Sequence, residues 1–536
     1  MRPLTLTRPK PMLPVVNLPL LGHIFNLLRH HGIVDVVVTL QYLAAHIQDY
    51  YGEGKSIGLN IEYVVEESPL GTAGSVRLAQ PLIPRDEPFL VISGDALTDL
   101  DLTKLVEFHR EHSAQVTMAL YHVTNPLDYG VINVDPEGRI SQFQEKPSWG
   151  ELTSDTVNTG IYVMQPTVLD RIEPGRPADW SQDIFPALMA RGGKLYGFIA
   201  DGYWCDIGTL GEYRRANADV LNGKLPLVHL GEQIGGGVWS GGQTEISPDA
   251  QIFGPVYLGE EVQIKRDVVI HGPTVIRDYT VVDNRARVDR SIIWRNCHLG
   301  QRAELHGAVL GQQCSVKPRA MIFEGAVIGD RTVIGEGAVI QSDVKIWPGK
   351  EVESGATVNR SIIWGSQGRR ILFGRYGVTG VVNVDLTPDF VARLGAALGS
   401  NLPKGSTVTI NRDPNRGSRM LKRALIAGLP SAGNNVLDLR TVPIPIARYY
   451  TRTIKAAAGV HVRISPYDPR VVDIRFMQGD GLDLTREQER AIERSFFRED
   501  YRRAFLEDIG SIDYAPDAVE LYCAGYLAAL DVESIK

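Results

Sequence analysis

The sequence predicts three folded regions in series: an α/β domain of Rossmann-like type, a parallel β-helix, and a second α/β domain. Two observations carry that prediction. Apolar runs of strand length alternate with amphipathic helical stretches up to about residue 130, and the alternation resumes after about residue 371. Between them one aliphatic residue recurs every six positions, a period that fits neither a helix nor an amphipathic strand. The expected domain bounds are 1–230, 245–366 and 371–536.

In the first domain, residues 34–40, 61–65 and 89–93 read as buried strands, and 42–51, 74–82 and 102–112 as the helices that follow them. Strict alternation implies βαβ units and a largely parallel sheet. Ligands of such sheets lie beyond the carboxyl ends of the strands. That rule singles out Gly94 and Asp95, directly after the third strand.

The six-residue spacing runs from Ile252 to Val288 and, after a slip, from Leu310 to Val358. Side chains two positions earlier are mostly small or β-branched, and glycine often follows, as in Leu258-Gly259 and Ile334-Gly335. Each hexad supplies one short strand and a corner, and stacking the coils buries the aliphatic column.

Beyond residue 371, stretches 388–398 and 418–427 read as helices, and 485–507 as a long helix with one exposed, charged face. The basic cluster Arg416, Arg419, Lys422 and Arg423 reads as a solvated face.

A net charge of -7 argues against a general nucleic-acid binder. The four cysteines, Cys205, Cys297, Cys314 and Cys523, form no C-x-x-C pair and fit neither a zinc site nor a disulfide framework. No run of 18 apolar residues exists, so no membrane partner is expected, and a cytoplasmic protein is expected.

Motifs in the first 210 residues resemble those of sugar-1-phosphate nucleotidyltransferases. The opening Arg2-Pro3-Leu4-Thr5 and Pro9-Lys10-Pro11 resemble the segment that follows the family's G-G-x-G-T-R loop. Gly94-Asp95 resembles its "GD" motif, and Trp204-Cys205-Asp206-Ile207-Gly208 its W-x-D-x-G motif. In nucleotidyl transfer a sugar-phosphate oxygen attacks the α-phosphorus of a nucleoside triphosphate, and charge builds on the leaving pyrophosphate. Magnesium suits such chemistry, because it takes one or two carboxylates plus phosphate oxygens and water. The resemblance implies that Asp95 and Asp206 hold Mg²⁺ and that Lys10 contacts phosphate. It also implies nucleotide contacts at Glu66, Pro69, Gly71, Thr72 and Gly94, and sugar-phosphate contacts at Gly130, Glu145, Lys146 and Asn158. Cys205 reads as packing, His30-His31 as a polar helix end, and Asp183 as either a pocket acid or a plain loop residue.

Pro69-Leu70-Gly71-Thr72-Ala73-Gly74 and the trailing hexads are similar to mannose-1-phosphate guanylyltransferases. That likeness implies GTP and mannose 1-phosphate as substrates, a left-handed β-helix, and homo-oligomers assembled through it. Glucose-1-phosphate nucleotidyltransferases share much of the pattern, and a non-catalytic nucleotide-sugar-binding regulatory or scaffold subunit is the alternative of another class. The family's G-G-x-G-T-R loop has no counterpart in this sequence. A longer natural chain is the favoured explanation, and a catalytically weakened form the other. Loss of the loop implies loss of the first strand of the sheet as well, with an exposed strand edge.

Residues 373–380 resemble the opening motif of phosphohexomutases such as phosphomannomutase, Arg412-Asp413 their R-D-x-R segment, and 459–469 the loop that bears their phosphoserine. Ser465 would stand at that serine, as a vestigial mutase site. Gly479-Asp480-Gly481-Leu482-Asp483 does not match their D-G-D-x-D-R magnesium loop. The expectation is therefore an incomplete first mutase domain without mutase activity.

Overall fold

The computed structural model describes residues 1–145, 147–148, 152–363 and 372–530. Two units are distinct: Met1–Gly349 with Asn359–Ser361, and Lys350–Val358 with Ile362–Lys536.

In the first unit the expected strands form at Asp35–Leu40, Asn60–Val65 and Phe89–Ile92, and the expected helices at Ala44–Tyr51, Gly71–Leu78 and Leu102–Glu111. The first two strands pair in parallel as a two-stranded sheet. Phe89–Ile92 belongs to a different, six-stranded sheet, where it pairs with Thr156–Met164. That sheet corrects the expectation of largely parallel pairing. Thr156–Met164 runs antiparallel to three neighbours, and only Leu195–Ile199 against Val116–His122 is parallel. The alternating pattern ends near residue 130, and the strands from there on include a hairpin, Gly130–Val134 with Ile140–Glu145. A later strand inserted antiparallel between earlier ones leaves no trace in local periodicity. The helix Leu20–His30 buries Leu21, Ile24, Phe25, Leu27 and Leu28 in one cluster with residues of both sheets, including Leu40, Ile61, Ile161 and Val163.

The hexads stack as parallel ladders. Ile264 lies over Val282, and Ile252 over Ile270. The slip in the spacing consists of two short steps: Val288 to Ile293 and Leu305 to Leu310 are five residues apart instead of six. Ile293, Leu299 and Leu305, which the six-residue count passes over, fill the column there and are fully buried. Several corners place a non-glycine residue in the left-handed region, among them Glu261, Arg285, Arg302 and Arg331.

One flank of the β-helix receives the helix Leu210–Leu221 and the opening segment of the chain. Tyr213, Ala216 and Val220 pack with Tyr257, Val275, Ile292 and Trp294. Tyr213 Oη donates to Pro14 O at 2.6 Å and accepts from Trp294 Nε1 at 2.9 Å. Arg8 pairs with the buried Asp330 at 3.0 Å and lies 4.4 Å above the Trp294 ring, and Thr7 Oγ1 donates to the same carboxylate at 2.7 Å. Arg277 donates to Asn17 O at 3.0 Å. The coils thereby hold residues 7–17 in place.

The second unit contains a seven-stranded sheet. Thr407–Arg412 is parallel to both Asn435–Thr441 and Ala458–Ile464, while Val471–Gln478 runs antiparallel to its two neighbours, Ala458–Ile464 and Gly377–Val381. The helices Pro388–Ser400 and Arg416–Ser431 pack their apolar faces on it through Leu394, Leu398, Leu421 and Leu425. Lys422 is not part of a solvated face. It is buried, and its ammonium lies 2.7 and 2.6 Å from the two oxygens of Asp438. It falls one position after Leu421, on the core side of that helix. The predicted long helix over 485–507 is shorter, Arg486–Arg498, and ends where Glu499 turns to φ +54°.

Candidate active site

Asp95 and Asp206, 111 residues apart in sequence, meet because two short strands pair antiparallel. Ala96–Thr98 and Trp204–Asp206 set Asp206 opposite Ala96, and Ile207 N donates to Asp95 O at 3.3 Å. Between the carboxylates lies Lys10, whose Nζ is 2.7 Å from Asp95 Oδ2 and 3.3 Å from Asp206 Oδ1. Ser93 Oγ donates to the other Asp95 oxygen. The three charged side chains are 26%, 37% and 36% exposed, so a ligand can reach them.

Burial opposes charge on all three groups, and their contacts decide the outcome. At Lys10 the two carboxylates outweigh burial and raise the pKa. At Asp95 the Lys10 ammonium and the Ser93 hydroxyl outweigh burial and lower it. At Asp206 burial, helped by repulsion from Asp95 and Glu212, prevails over Lys10 and raises it. Burial likewise pushes the Cys205 thiol up, which suits a packing role rather than a nucleophile.

Among the described residues no three His, Cys, Asp or Glu side chains cluster as a metal cage. Two partly exposed carboxylates nevertheless fit magnesium, which leaves its remaining positions to phosphate and water. Asp95 and Asp206 are the residues able to hold it.

The other expected contacts form two groups. Glu66 Oε2 accepts from Leu70 N at 3.0 Å, and Thr72 Oγ1 donates to Asp179 Oδ2 at 2.8 Å. Gly71 has φ +73°, and a Cβ there would lie 2.6 Å from Ala178 O, so only glycine fits. Pro69 is exposed beside this turn. The Thr72 bond, with Trp180 N donating to Thr72 Oγ1 at 3.0 Å and Ala178 N to Leu70 O at 2.9 Å, ties the segment to residues 178–180. In the second group Gly130 pairs with Glu145 across a hairpin, and a Cβ at Gly130 would meet Glu145 Oε2 at 2.9 Å and Asn158 Cβ at 3.7 Å. Asn158 donates to Tyr162 Oη at 2.8 Å, where a register shift bends the strand, and Ser93 N donates to Gly160 O at 3.0 Å. That bond links this group to the strand leading into Asp95. Gly94 lies against Pro11, next to Lys10. Lys146 lies outside the described residues.

Four contributors escaped sequence reasoning: Ser93, Asp179, Arg8 and Asp330. Asp179 had a readable signal, since an aspartate before a helical turn is a favoured N-cap; it accepts from Ser181 N and Gln182 N. Asp183 Oδ2 accepts from Asp179 N at 2.8 Å, a turn-closing role. His31 Nδ1 lies 2.8 Å from Thr103 Oγ1.

In the second unit Asp413 sits at the carboxyl end of a parallel strand, but its oxygens accept from Ile464 N at 2.6 Å and Asn415 N at 2.9 Å. Asp473 is fully buried between Thr379, at 3.1 Å, and Arg463, at 3.4 Å. Ser465 is buried at the end of Ala458–Ile464, and its backbone N–H donates to Val471 O at 2.8 Å.

An α/β domain with a lysine and two carboxylates converging at strand ends, followed by a β-helix, has the architecture of an enzyme that acts on phosphates. Comparison with known proteins narrows this class. Residues 1–223 match the nucleotidyl transferase family, 234–328 the GMPPB C-terminal domain, and 370–503 the phosphoglucomutase/phosphomannomutase alpha/beta/alpha domain I. The chain is 39% identical over 239 residues to a mannose-1-phosphate guanylyltransferase of Mycobacterium tuberculosis, covering 44% of this chain and 66% of that protein. It is 36% identical over 336 residues to a UTP–glucose-1-phosphate uridylyltransferase of Synechocystis, covering 60% of this chain and 87% of that protein. A mannose-1-phosphate guanyltransferase of Neurospora crassa is 32% identical over 354 residues, with 62% of this chain and 93% of that protein covered. The chain belongs to the nucleotidyl transferase family. Its second unit carries a phosphomannomutase-like domain.

Proposed function

We propose that the first unit transfers the guanylyl group of GTP to mannose 1-phosphate, giving GDP-mannose and pyrophosphate. The observation that carries this reading is the convergence of Lys10, Asp95 and Asp206 at the ends of paired strands. A sugar-phosphate oxygen forms the new bond to the α-phosphorus, and the bond to the departing pyrophosphate breaks. Mg²⁺ held by Asp95 and Asp206 supplies charge neutralisation on the phosphates. Lys10 steadies the phosphate chain. Glu66, Pro69, Gly71, Thr72 and Gly94 border the nucleotide, and Gly130, Glu145, Lys146 and Asn158 hold the sugar phosphate. The two mannose-1-phosphate relatives favour mannose and guanine, while the Synechocystis relative supports UTP with glucose 1-phosphate as the second reading.

We further propose a cytoplasmic enzyme that forms homo-oligomers through the β-helix, with Ser465 a remnant of a mutase site. No helix of the described residues is long and apolar enough to cross a membrane. Pyrophosphate release, measured across GTP, UTP, ATP and dTTP with mannose or glucose 1-phosphate, tests the reading. The highest kcat/KM is expected for GTP with mannose 1-phosphate. Preference for UTP with glucose 1-phosphate would transfer the assignment to the second reading, and silence with every pair would overturn both.

A further inference from the structure

The Lys10 ammonium stands between the two carboxylates that would hold a divalent cation. Its nitrogen is 2.7 Å from Asp95 Oδ2 and 3.3 Å from Asp206 Oδ1. Magnesium bonds carboxylate oxygens at about 2 Å, so an ion shared by those oxygens overlaps the volume of the ammonium. Two cations cannot occupy it together. We infer that Lys10 is an exchangeable counter-ion: its ammonium holds the carboxylate pair in the nucleotide-free chain and must leave before a divalent cation enters. The inference rests on the two-carboxylate metal site proposed above.

The surroundings restrict the motion to the side chain. Pro9 and Pro11 flank Lys10, and Met12 N to Pro9 O at 2.9 Å and Leu13 N to Lys10 O at 3.0 Å close the turn around it. Arg8 and Thr7 are bonded to Asp330 just upstream. A fixed backbone leaves the flexible four-carbon stem to carry the exchange, and a compact, mobile charge suits lysine better than arginine. No other cation pairs with either carboxylate among the described residues. When the ammonium swings away, the triphosphate that arrives with the metal supplies negative charge for it to meet. Metal and nucleotide therefore bind with positive linkage: each removes the obstacle to the other.

Mn²⁺ binding to the full nucleotide-free chain tests this, read from the electron paramagnetic resonance signal of free Mn²⁺. Lys10→Met is expected to bind Mn²⁺ at least tenfold more tightly than the wild type. Lys10→Gln should reproduce that gain and serves if the Met variant misfolds. Lys10→Arg, which keeps the charge, should stay near the wild type, and adding Asp95→Asn to Lys10→Met should abolish the gain. If Lys10→Met and Lys10→Gln bind Mn²⁺ no more tightly while Asp95→Asn alone weakens binding, the counter-ion role is overturned and the metal site stands. If Asp95→Asn and Asp206→Asn both leave Mn²⁺ binding unchanged, the metal site itself is overturned, and the counter-ion role with it.

Discussion

Two pairs of aspartates, one in each unit, differ in what they are bonded to. Asp95 and Asp206 face each other across the Lys10 ammonium, and about a third of each side chain is open to solvent. Asp413 and Asp473 are engaged by fixed partners: two backbone N–H groups for the first, Thr379 and Arg463 for the second. Both oxygens of Asp413 already accept from backbone N–H groups of the fold, and Asp473 has no exposed surface through which a metal or substrate could reach it. Aspartates thus stand open beside a lysine in one unit and tied to the fold in the other.

Breaking the fixed side of that contrast should have the largest effect. Lys422→Ala leaves Asp438 buried without its counter-charge, its carboxylate keeping only the hydrogen bond from Arg440 N among the described residues, which costs about 3–5 kcal/mol. A thermal scan should show the second unit unfolding early while pyrophosphate release is unaffected. Asp330→Ala sharpens the comparison from the other side, because it releases Arg8 and Thr7 and so loosens the segment carrying Lys10. Roughly tenfold lower turnover is expected, since misplacing a positioned group by an ångström is that costly or more; unchanged turnover would mean that the coils do not position Lys10.

Acid should weaken both units through buried histidines. Burial, only partly offset by the hydrogen bond to Val15 O, lowers His23 from 6.5 to about 4. Burial, then the positive charge of Arg463, lowers His461 from 6.5 to about 4. Between pH 6.5 and 4 the unfolded chain binds these protons and the folded chain does not. Stability is therefore full above pH 6.5 and falls as the pH drops, by at most about 1.4 kcal/mol per pH unit for each histidine. Chemical denaturation across that range, with His23→Gln and His461→Gln as controls, measures the slope. The smallest effect is expected for Ser465→Ala, which removes a hydroxyl whose only bond among the described residues, from Tyr467 N, is long at 3.5 Å. Turnover and melting temperature should both stay at wild-type values.

Much of the organisation was legible in the sequence because its signals are local or periodic. The hexads announced the stacked coils, the three expected strands of the first domain formed within a residue or two of their expected places, and Lys10, Asp95 and Asp206, singled out by their motifs, lie side by side. What escaped was set by distant partners. Nothing near Arg8 points to Asp330, more than 300 residues away, and nothing near Lys422 shows that Asp438 comes up beneath it. The antiparallel insertion of Thr156–Met164 is likewise a matter of tertiary pairing rather than of any local pattern.

One substitution made in both units tests the contrast most directly. Asp95→Asn and Asp413→Asn remove the same charge, one from the open pair and one from an acceptor of two backbone N–H groups. Pyrophosphate release and melting temperature should be measured on both. The account predicts that Asp95→Asn loses at least about a hundredfold in kcat with its melting temperature kept. Asp413→Asn should keep kcat and lose about 1–3 kcal/mol of stability. Full activity in Asp95→Asn, or a loss of kcat without loss of stability in Asp413→Asn, would contradict it.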